Sequence, residues 1–374
     1  MDRATVEVYE QAARQYAEER RAYHPERAAA FADAVGEGTW RLDLGCGPGL
    51  YLPHLGRPVV ALDPARAMVA EALARNPGAH GVVADAEALP FRPGALGGVW
   101  ASKSLQHLPA PRLPMALAEL HRVLPVGGVL DVTLFTGTGS VVSDGDDDFP
   151  GRLFSWWTPE ALTDVLVGAG FEVTGVEGPG GRDHDRYAVA ARRGRTLADT
   201  VGPGMRLLVC GLNPSLYAAD AGIGFARPGN RFWPAALAAG LVSADRDPRA
   251  ALRDHGVGMT DIVKRATPRA DELTIDEYRT GLARVARLVE WLRPGAVCFV
   301  GLAGWRAAVD RRARPGVQPG DLGGRPVYVM PSTSGLNASS QLPDLVAHLR
   351  AAAALADEAL AADDGGGTDG ATGA

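Results

Sequence analysis

Short apolar runs alternate with helix-patterned stretches along this 374-residue chain, and the alternation occurs twice. In the first half, strands are predicted at residues 39–44, 58–62, 81–84, 98–101 and 129–134, with helices at 65–75 and 114–123 among them. Apolar runs this short, bounded by turn residues, suit strands buried on both faces, and strands separated by helices pair in parallel. The expected fold is therefore α/β, a doubly wound and largely parallel sheet. Residues 171–175 and 187–191 are expected to close it as an antiparallel pair, and the acidic, glycine-rich run 137–148 reads as a loop over one end.

The second half repeats the pattern, with strands predicted at 206–210, 296–300 and 326–330 and helices at 232–239, 275–292 and 342–356. Two α/β domains in series follow. The stretch 192–204, RRGRTLADTVGPG, is charged and closes on Gly-Pro-Gly, so it reads as a linker between domains at 1–191 and 205–360. Residues 361–374 are of low complexity and are expected to be a disordered tail.

Composition bounds the function. Of the 38 basic residues only Lys103 and Lys264 are lysines. In a chain with 47 Gly and 27 Pro, that excess of arginine reads as codon bias and says nothing about nucleic acid. The distribution of charge says more. Residues 1–204 hold 19 basic and 26 acidic groups, net −7, whereas residues 205–360 hold 19 and 15, net +4. A mildly basic second domain suits a surface that meets phosphates. Cys46, Cys210 and Cys298 lie far apart in or beside apolar runs, which predicts buried free thiols in a reducing compartment. No signal peptide opens the chain and no apolar run approaches the roughly 20 residues of a membrane span. A cytoplasmic protein with no membrane partner is expected.

In the first domain, Leu42-Asp43-Leu44-Gly45-Cys46-Gly47-Pro48-Gly49 follows an apolar strand. Glycines at 45, 47 and 49 let the backbone turn tightly and pass close to a ligand. Asp63 stands fourteen residues beyond Gly49 at the end of the next strand, where a carboxylate can accept two ribose hydroxyls. Asp85-Ala86 follows the third strand, placed to meet an adenine edge. The GxGxG spacing and these strand ends resemble the class I S-adenosylmethionine-dependent methyltransferases over about residues 35–135, with Leu89-Pro90-Phe91 and the segment 100–108 adding to the likeness. The resemblance implies a Rossmann-like sheet, S-adenosylmethionine as cofactor and an unidentified methyl acceptor. The acceptor position after the fourth strand reads Ser102-Lys103-Ser104-Leu105, not the Asn/Asp-Pro-Pro-aromatic motif of base amino-methylating enzymes. No Pro-Cys pair supplies the thiol of a cytosine C5 methylase. Small molecules or tRNA remain as acceptors. His107 reads as a solvated loop histidine or a general base, and Trp156-Trp157 as packing under a lid or a substrate cover.

In the second domain, the strand ending Leu208-Val209-Cys210 runs into Gly211, and Asn213 stands beside Pro214. Phe225 comes twelve residues after that amide and Asn230 seventeen, opening Asn-Arg-Phe-Trp. One amide, an aromatic platform and a second amide suit a planar polar ring. The spacing resembles the mismatch-specific uracil/thymine-DNA glycosylases (the Mug/thymine-DNA glycosylase branch of the uracil-DNA glycosylase superfamily), which implies a three-layer α/β domain. In that resemblance Asn213 positions water, Phe225 stacks on the flipped base, Asn230 holds the loop or meets the base edge, and backbone N–H groups at Leu212–Ser215 face the pyrimidine O2. After a later strand, Met330-Pro331-Ser332-Thr333-Ser334-Gly335-Leu336-Asn337-Ala338 resembles the family's wedge loop. Ser332 and Ser334 match its hydroxyl positions and Leu336 the intercalating residue, which implies Ser332 at the base and Ser334, Gly335 and Leu336 gripping a phosphate and wedging the gap. Family members often carry Arg at the wedge or two residues beyond; here those places are Leu336 and Ala338. Residues 258–263 resemble another family segment in which Asp261 is structural. Lys264 reads as a surface or phosphate-contacting residue, so the expected glycosylase is monofunctional, cofactor-free and metal-free, acting on double-stranded DNA with a mismatched or deaminated base. Two other arrangements suit the same chain: a methyltransferase whose second domain only recognises bases, or an active glycosylase behind a non-catalytic cofactor-binding module.

Overall fold

The computed structural model describes residues 1–178 and 186–365. The chain divides into two compact units, Met1–Gly194 and Arg195–Ala374. In the first, β1 (Arg41–Leu44), β2 (Val59–Asp63), β3 (His80–Val83), β4 (Gly98–Ser102) and β5 (Val129–Phe135) run parallel. β6 (Ser140–Val142) and β7 (Leu153–Ser155) form a separate antiparallel ribbon, so the predicted loop at 137–148 contains a strand. β8 (Phe171–Glu177) and β9 (Arg186–Arg193) complete the main sheet in the order β3-β2-β1-β4-β5-β9-β8, with β9 antiparallel to both neighbours. All residues of β1 and β2 are buried, which is why their sequences show apolar runs in place of alternation. The strand order reverses between β1 and β4, and a crevice opens at their carboxyl ends.

Two helices precede this sheet that the sequence reading does not predict, Arg3–Glu19 and Pro25–Val35. Asp2 caps the first by accepting from the Thr5 N–H at 2.9 Å. Val6, Tyr9, Ala13 and Tyr16 recur at helical spacing and gather around Ala65 and Met68. The stripe is narrow and partly alanine, so its period is weak beside the charged residues around it.

In the second unit, β10 (Leu207–Gly211), β11 (Val257–Asp261), β12 (Ala296–Val300), β13 (Gly316–Leu322) and β14 (Arg325–Met330) form a sheet in the order β11-β10-β12-β14-β13. The first four run parallel and β13 is an antiparallel edge. Helices Phe232–Ala239 and Leu342–Gly365 cover one face through Phe232, Trp233, Leu345 and Leu349. Ile275–Leu292 and Leu302–Ala308 cover the other through Val285, Leu288, Val289 and Trp305. Three layers result. β13 escapes sequence prediction because GVQPGDL has no apolar run, which an edge strand tolerates.

The predicted linker is not one. Residues 192–193 end β9, and 195–204 pack into the second unit. Thr200 bridges to Met259 and Val201 is fully buried. Asp199, also buried, accepts from Arg284 Nη1 at 2.7 Å, Lys264 Nζ at 2.8 Å and Thr260 Oγ1 at 2.6 Å. A charged stretch can leave solvent when its charge finds partners, and these lie more than 60 residues away. The first residues of the predicted tail are helical. Residues 361–365 extend the last helix, where Asp363 accepts from Arg325 at 2.5 Å, and residues 366–374 lie outside the described residues.

Burial pushes Asp199 up, but Arg284 and Lys264 overcome it and hold the carboxyl below its ordinary range. Its stabilisation is therefore fully present above about pH 4 and is lost as pH falls through the lower folded value. Asp199→Ala leaves two buried cations unmatched and is expected to destabilise the second unit by about 3–5 kcal/mol. Urea unfolding at pH 7 checks this; a loss under 1 kcal/mol would mean that the triad is solvated.

Candidate functional site

The crevice of the first unit starts where β1 ends. The N–H groups of Gly45 and Cys46 both donate to Leu62 O, at 2.8 and 2.9 Å, which turns the chain back over β2. Gly45 and Gly49 are held by packing: a Cβ at Gly45 would overlap the Ser104 Cβ, and one at Gly49 would lie 2.7 Å from Asn76 Nδ2. Gly47 differs. Its φ of 49° is left-handed, and a Cβ there would meet nothing within 4 Å, because it borders a cavity of about 340 Å³. The Gly47 N–H donates to Asp63 Oδ2 at 3.0 Å and the Ala65 N–H to Oδ1 at 2.9 Å. Burial raises the Asp63 carboxyl to about 6 in spite of those two donors. Asp43, buried on β1, is pushed up to about 8, first by burial and then by Asp63. Its Oδ2 has no hydrogen-bond partner among the described residues.

Asp85 and Ala86 stand apart from these. Asp85, expected with Ala86 to meet an adenine edge, pairs through Oδ2 with the Met1 amine at 2.5 Å, Ala86 is buried, and Met1 lines the cavity. The opposite charge of the amine accounts for the difference. The N-terminal helix supplies cavity residues that sequence reading misses, Val6, Tyr9 and Tyr16. Their i, i+3, i+10 spacing is the signal that could have found them.

His107 is not solvated. It is buried, its Nδ1 lies 2.6 Å from Leu153 O and its Nε2 2.9 Å from Tyr9 OH. A carbonyl only accepts, so Nδ1 carries the proton and Nε2 accepts from Tyr9, which in turn accepts from Arg152 Nη1 at 2.9 Å. Burial drives His107 down to about 4, and the neutral ring braces the cavity wall. Trp157 is buried, and Trp156 packs over Gly137; both serve packing.

At the end of β10 in the second unit, Asn213 Nδ2 donates toward Thr267 Oγ1 at 2.8 Å, Arg265 O at 3.0 Å and Pro214 O at 3.2 Å. Thr267 gives its own proton to Arg269 O, so it can only accept from Asn213. The amide is thereby oriented with its donors spent and Oδ1 left to accept. Leu212 sends its side chain into the core against Gly304, and its carbonyl accepts from the Val263 N–H at 3.0 Å. Phe225 has a φ of 58°, rare for a bulky residue, and its ring stacks on Phe232 at 4.3 Å. A Cβ at Gly211 would lie 3.4 Å from Phe225 Cζ and would overlap Asp261 Oδ1, so only glycine lets ring and carboxyl approach this strand end. Burial raises Asp261 to about 6. Asn230 Oδ1 accepts from the Phe232 N–H at 2.9 Å and so opens the helix that carries this ring.

The distant loop comes to the same edge. The Arg231 N–H donates to Thr333 O at 2.9 Å, while its guanidinium donates to the carbonyls of Ser340 (2.5 Å), Asn337 (2.7 Å) and Ser334 (3.0 Å). Gly335 packs so tightly on Gly229 that a Cβ would lie 2.8 Å from its carbonyl oxygen. Ser332 Oγ accepts from the Ser334 N–H and Ser334 Oγ from the Leu336 N–H, at 3.2 and 3.3 Å, so the hydroxyls shape the turn. Leu336 stands at its tip, 86% exposed. Lys264, expected at the surface, is instead paired with buried Asp199.

Residues 42–132 match the methyltransferase domain family, and residues 198–354 match the uracil DNA glycosylase superfamily. Among similar solved structures is an S-adenosylmethionine-dependent methyltransferase from Methanosarcina mazei, at 19% identity over 47% of this chain and 99% of that one, TM-score 0.40. Another such enzyme, from Mesorhizobium loti, is 20% identical over 45% and 96%, TM-score 0.38. A third is the 1,6-didemethyltoxoflavin-N1-methyltransferase of Burkholderia thailandensis, crystallised with 1,6-didemethyltoxoflavin and S-adenosylhomocysteine, 19% identical over 46% and 78%, TM-score 0.38. Among the described residues no helix is long and apolar enough to cross a membrane. The chain thus carries a methyltransferase domain at residues 42–132 followed by a uracil DNA glycosylase superfamily domain at residues 198–354, two α/β domains in series.

Proposed function

We propose that the second unit is a monofunctional DNA glycosylase of the Mug/thymine-DNA glycosylase branch. It hydrolyses the N-glycosidic bond of uracil or thymine in G·U and G·T mismatches, and the first unit is an S-adenosylmethionine-dependent methyltransferase. One observation carries the glycosylase reading: Arg231 ties the loop bearing exposed Leu336 to the segment bearing Asn213, Phe225 and Asn230. A base swung out of the duplex stacks on Phe225, and Leu336 fills the gap it leaves. Asn213 Oδ1 accepts one hydrogen of a water and aims it at the sugar C1′. An amide is too weak a base to take the proton fully, so departure of the base leads and water follows. Backbone N–H groups at 212–215 are the donors for the charge that develops on the pyrimidine. A lyase step needs an amine nucleophile, and this unit's one lysine is held on Asp199. That pairing supports monofunctional hydrolysis.

With Leu336 and Ala338 at the wedge, no arginine reads the opposite guanine there. Discrimination rests on the lower cost of flipping from a mismatch, which is worth a few kcal/mol at most. Duplexes containing G·U, G·T and A·U are expected to be cleaved with the mismatches ahead; equal rates on all three would remove the mismatch reading. Asn213→Ala is expected to slow single-turnover excision by about 10²-fold or more while DNA affinity changes little. A rate within threefold of the parent would exclude Asn213 from the chemistry.

For the first unit, the backbone at Gly47 and the carboxyl of Asp63 fit a nucleoside: one is a close approach without a side chain, the other an acceptor with lone pairs to spare. The cofactor supplies a methyl group on a sulfonium. Asp63 receives ribose hydroxyls best when ionised, so affinity is full above about pH 6 and falls as pH drops through that value. Titrating the protein with S-adenosylmethionine at pH 8 and pH 5 tests this. Asp63→Asn should bind about 10–100-fold more weakly at pH 8 and lose the pH step. Parent protein that binds equally at both pH values would show that Asp63 is not the ribose acceptor.

A further inference from the structure

Lys103 lies just past β4 with a φ of 55°, a left-handed conformation uncommon for a long side chain. Its N–H donates to Thr133 O at 2.9 Å, which ties this strained residue to β5. The ammonium lies in the cavity wall, 4.6 Å from the Tyr23 ring centroid and 5.7 Å from that of Phe135. Two other cations of this cavity have acids: Arg20 pairs with Asp148 and Arg152 with Asp147, both at 2.5 Å. Among the described residues none pairs with Lys103. Burial, and then Arg186 and Arg20 facing it, push its ammonium down to about 8. A partly buried cation with aromatic rings beneath it and no acid paired to it among the described residues is placed to receive an anion.

Its place in the sheet says what the other half belongs to. Asp63, read as the ribose acceptor, ends β2 on one side of β1, whereas Lys103 ends β4 on the other, beside Phe135 of β5. Tyr51 and Phe154 extend the aromatic wall around the same cavity. We propose that the methyl acceptor is a small, flat-ringed molecule with an anionic oxygen, held by that oxygen on Lys103 and by its ring on these aromatic walls. The proposal rests on the first unit binding S-adenosylmethionine. The cofactor's own carboxylate is the competing anion for Lys103.

Lysine occurs only at 103 and 264, so full-length protein labelled with ¹³Cε-lysine gives two side-chain signals, assigned with Lys103→Met. The pH midpoint of the Lys103 signal is followed with no ligand, with S-adenosylhomocysteine, and with that ligand plus either benzoate or neutral benzamide. The free protein should titrate near 8. S-adenosylhomocysteine should bind and leave the midpoint in place. Benzoate should raise it by about one unit, a tenfold preference for the charged ammonium, and benzamide should not. Lys103→Met should bind S-adenosylhomocysteine as the parent does and benzoate about tenfold more weakly. A midpoint raised by S-adenosylhomocysteine alone would assign Lys103 to the cofactor and overturn the proposal. So would benzoate that fails to bind, or benzamide that binds as well, as a neutral nucleobase acceptor would require. Failure of S-adenosylhomocysteine to bind at millimolar concentration would instead remove the cofactor reading itself, and the proposal with it.

Discussion

A strand buried on both faces can send its side chains only into apolar core, so polar chemistry collects where the strand stops. β1, β2, β10 and β12 are buried along their whole length, and the polar groups of three of them collect at the carboxyl end. Gly45–Gly49 follows β1, Asp63 ends β2 and Asn213 stands two residues past β10. The serine-rich loop follows β14 in the same way. Parallel pairing brings these ends to one edge of each sheet, though the loop after β14 is more than a hundred residues from Asn213. Asp43 is one of the polar groups buried inside a strand, and burial there is what pushes its carboxyl up to about 8.

Within those edges, the roles open to a side chain are set by which hydrogen-bonding groups are already engaged. His107 has donor and acceptor both occupied, which leaves it a brace. Asn213 has its donors occupied and its oxygen open, which makes it an acceptor with a fixed aim. Asn230 lends its oxygen to a helix start and keeps its amide nitrogen. Residue type alone would have ranked a histidine above either amide as the reactive group; the partners reverse that order.

The residues legible in sequence are those whose role depends on near neighbours. GxGxG after a strand, Asn-Pro after a strand and Asn-Arg-Phe-Trp before a helix are local statements, and the structure puts each on the predicted element. What escaped depends on partners far along the chain. The stretch 195–204 looks like a linker until Arg284 and Lys264 neutralise Asp199. Lys264 looks like a surface lysine for the same reason. The N-terminal helix has a stripe too thin in large apolar residues to stand out, and it becomes part of the cavity only because Tyr9 and Tyr16 meet residues from β2 onward. Asp85 matches its motif position, yet the Met1 amine occupies its carboxylate.

Arginine is abundant here for reasons that need not be chemical, but beside its carboxylate pairs the fold uses it repeatedly in one further way. Arg41 donates to the carbonyls of Thr39, Arg57 and Gly36. Arg122 donates to Leu89 and Phe91, Arg306 to Ala313, and Arg325 to Pro294 and Gly295. Arg231 does the same at the wedge loop. Each set lies in a turn where neither helix nor sheet supplies N–H partners, and a planar fork of five donors can satisfy several carbonyls at once. A lysine in these places could reach the same oxygens only by giving up more side-chain freedom for each bond. At the wedge this has a functional side. The arginine stands behind the loop rather than at its tip, so its donors go to the loop's own carbonyls. On the proposed glycosylase reading, the same placement that braces Leu336 keeps this charge away from the opposite base.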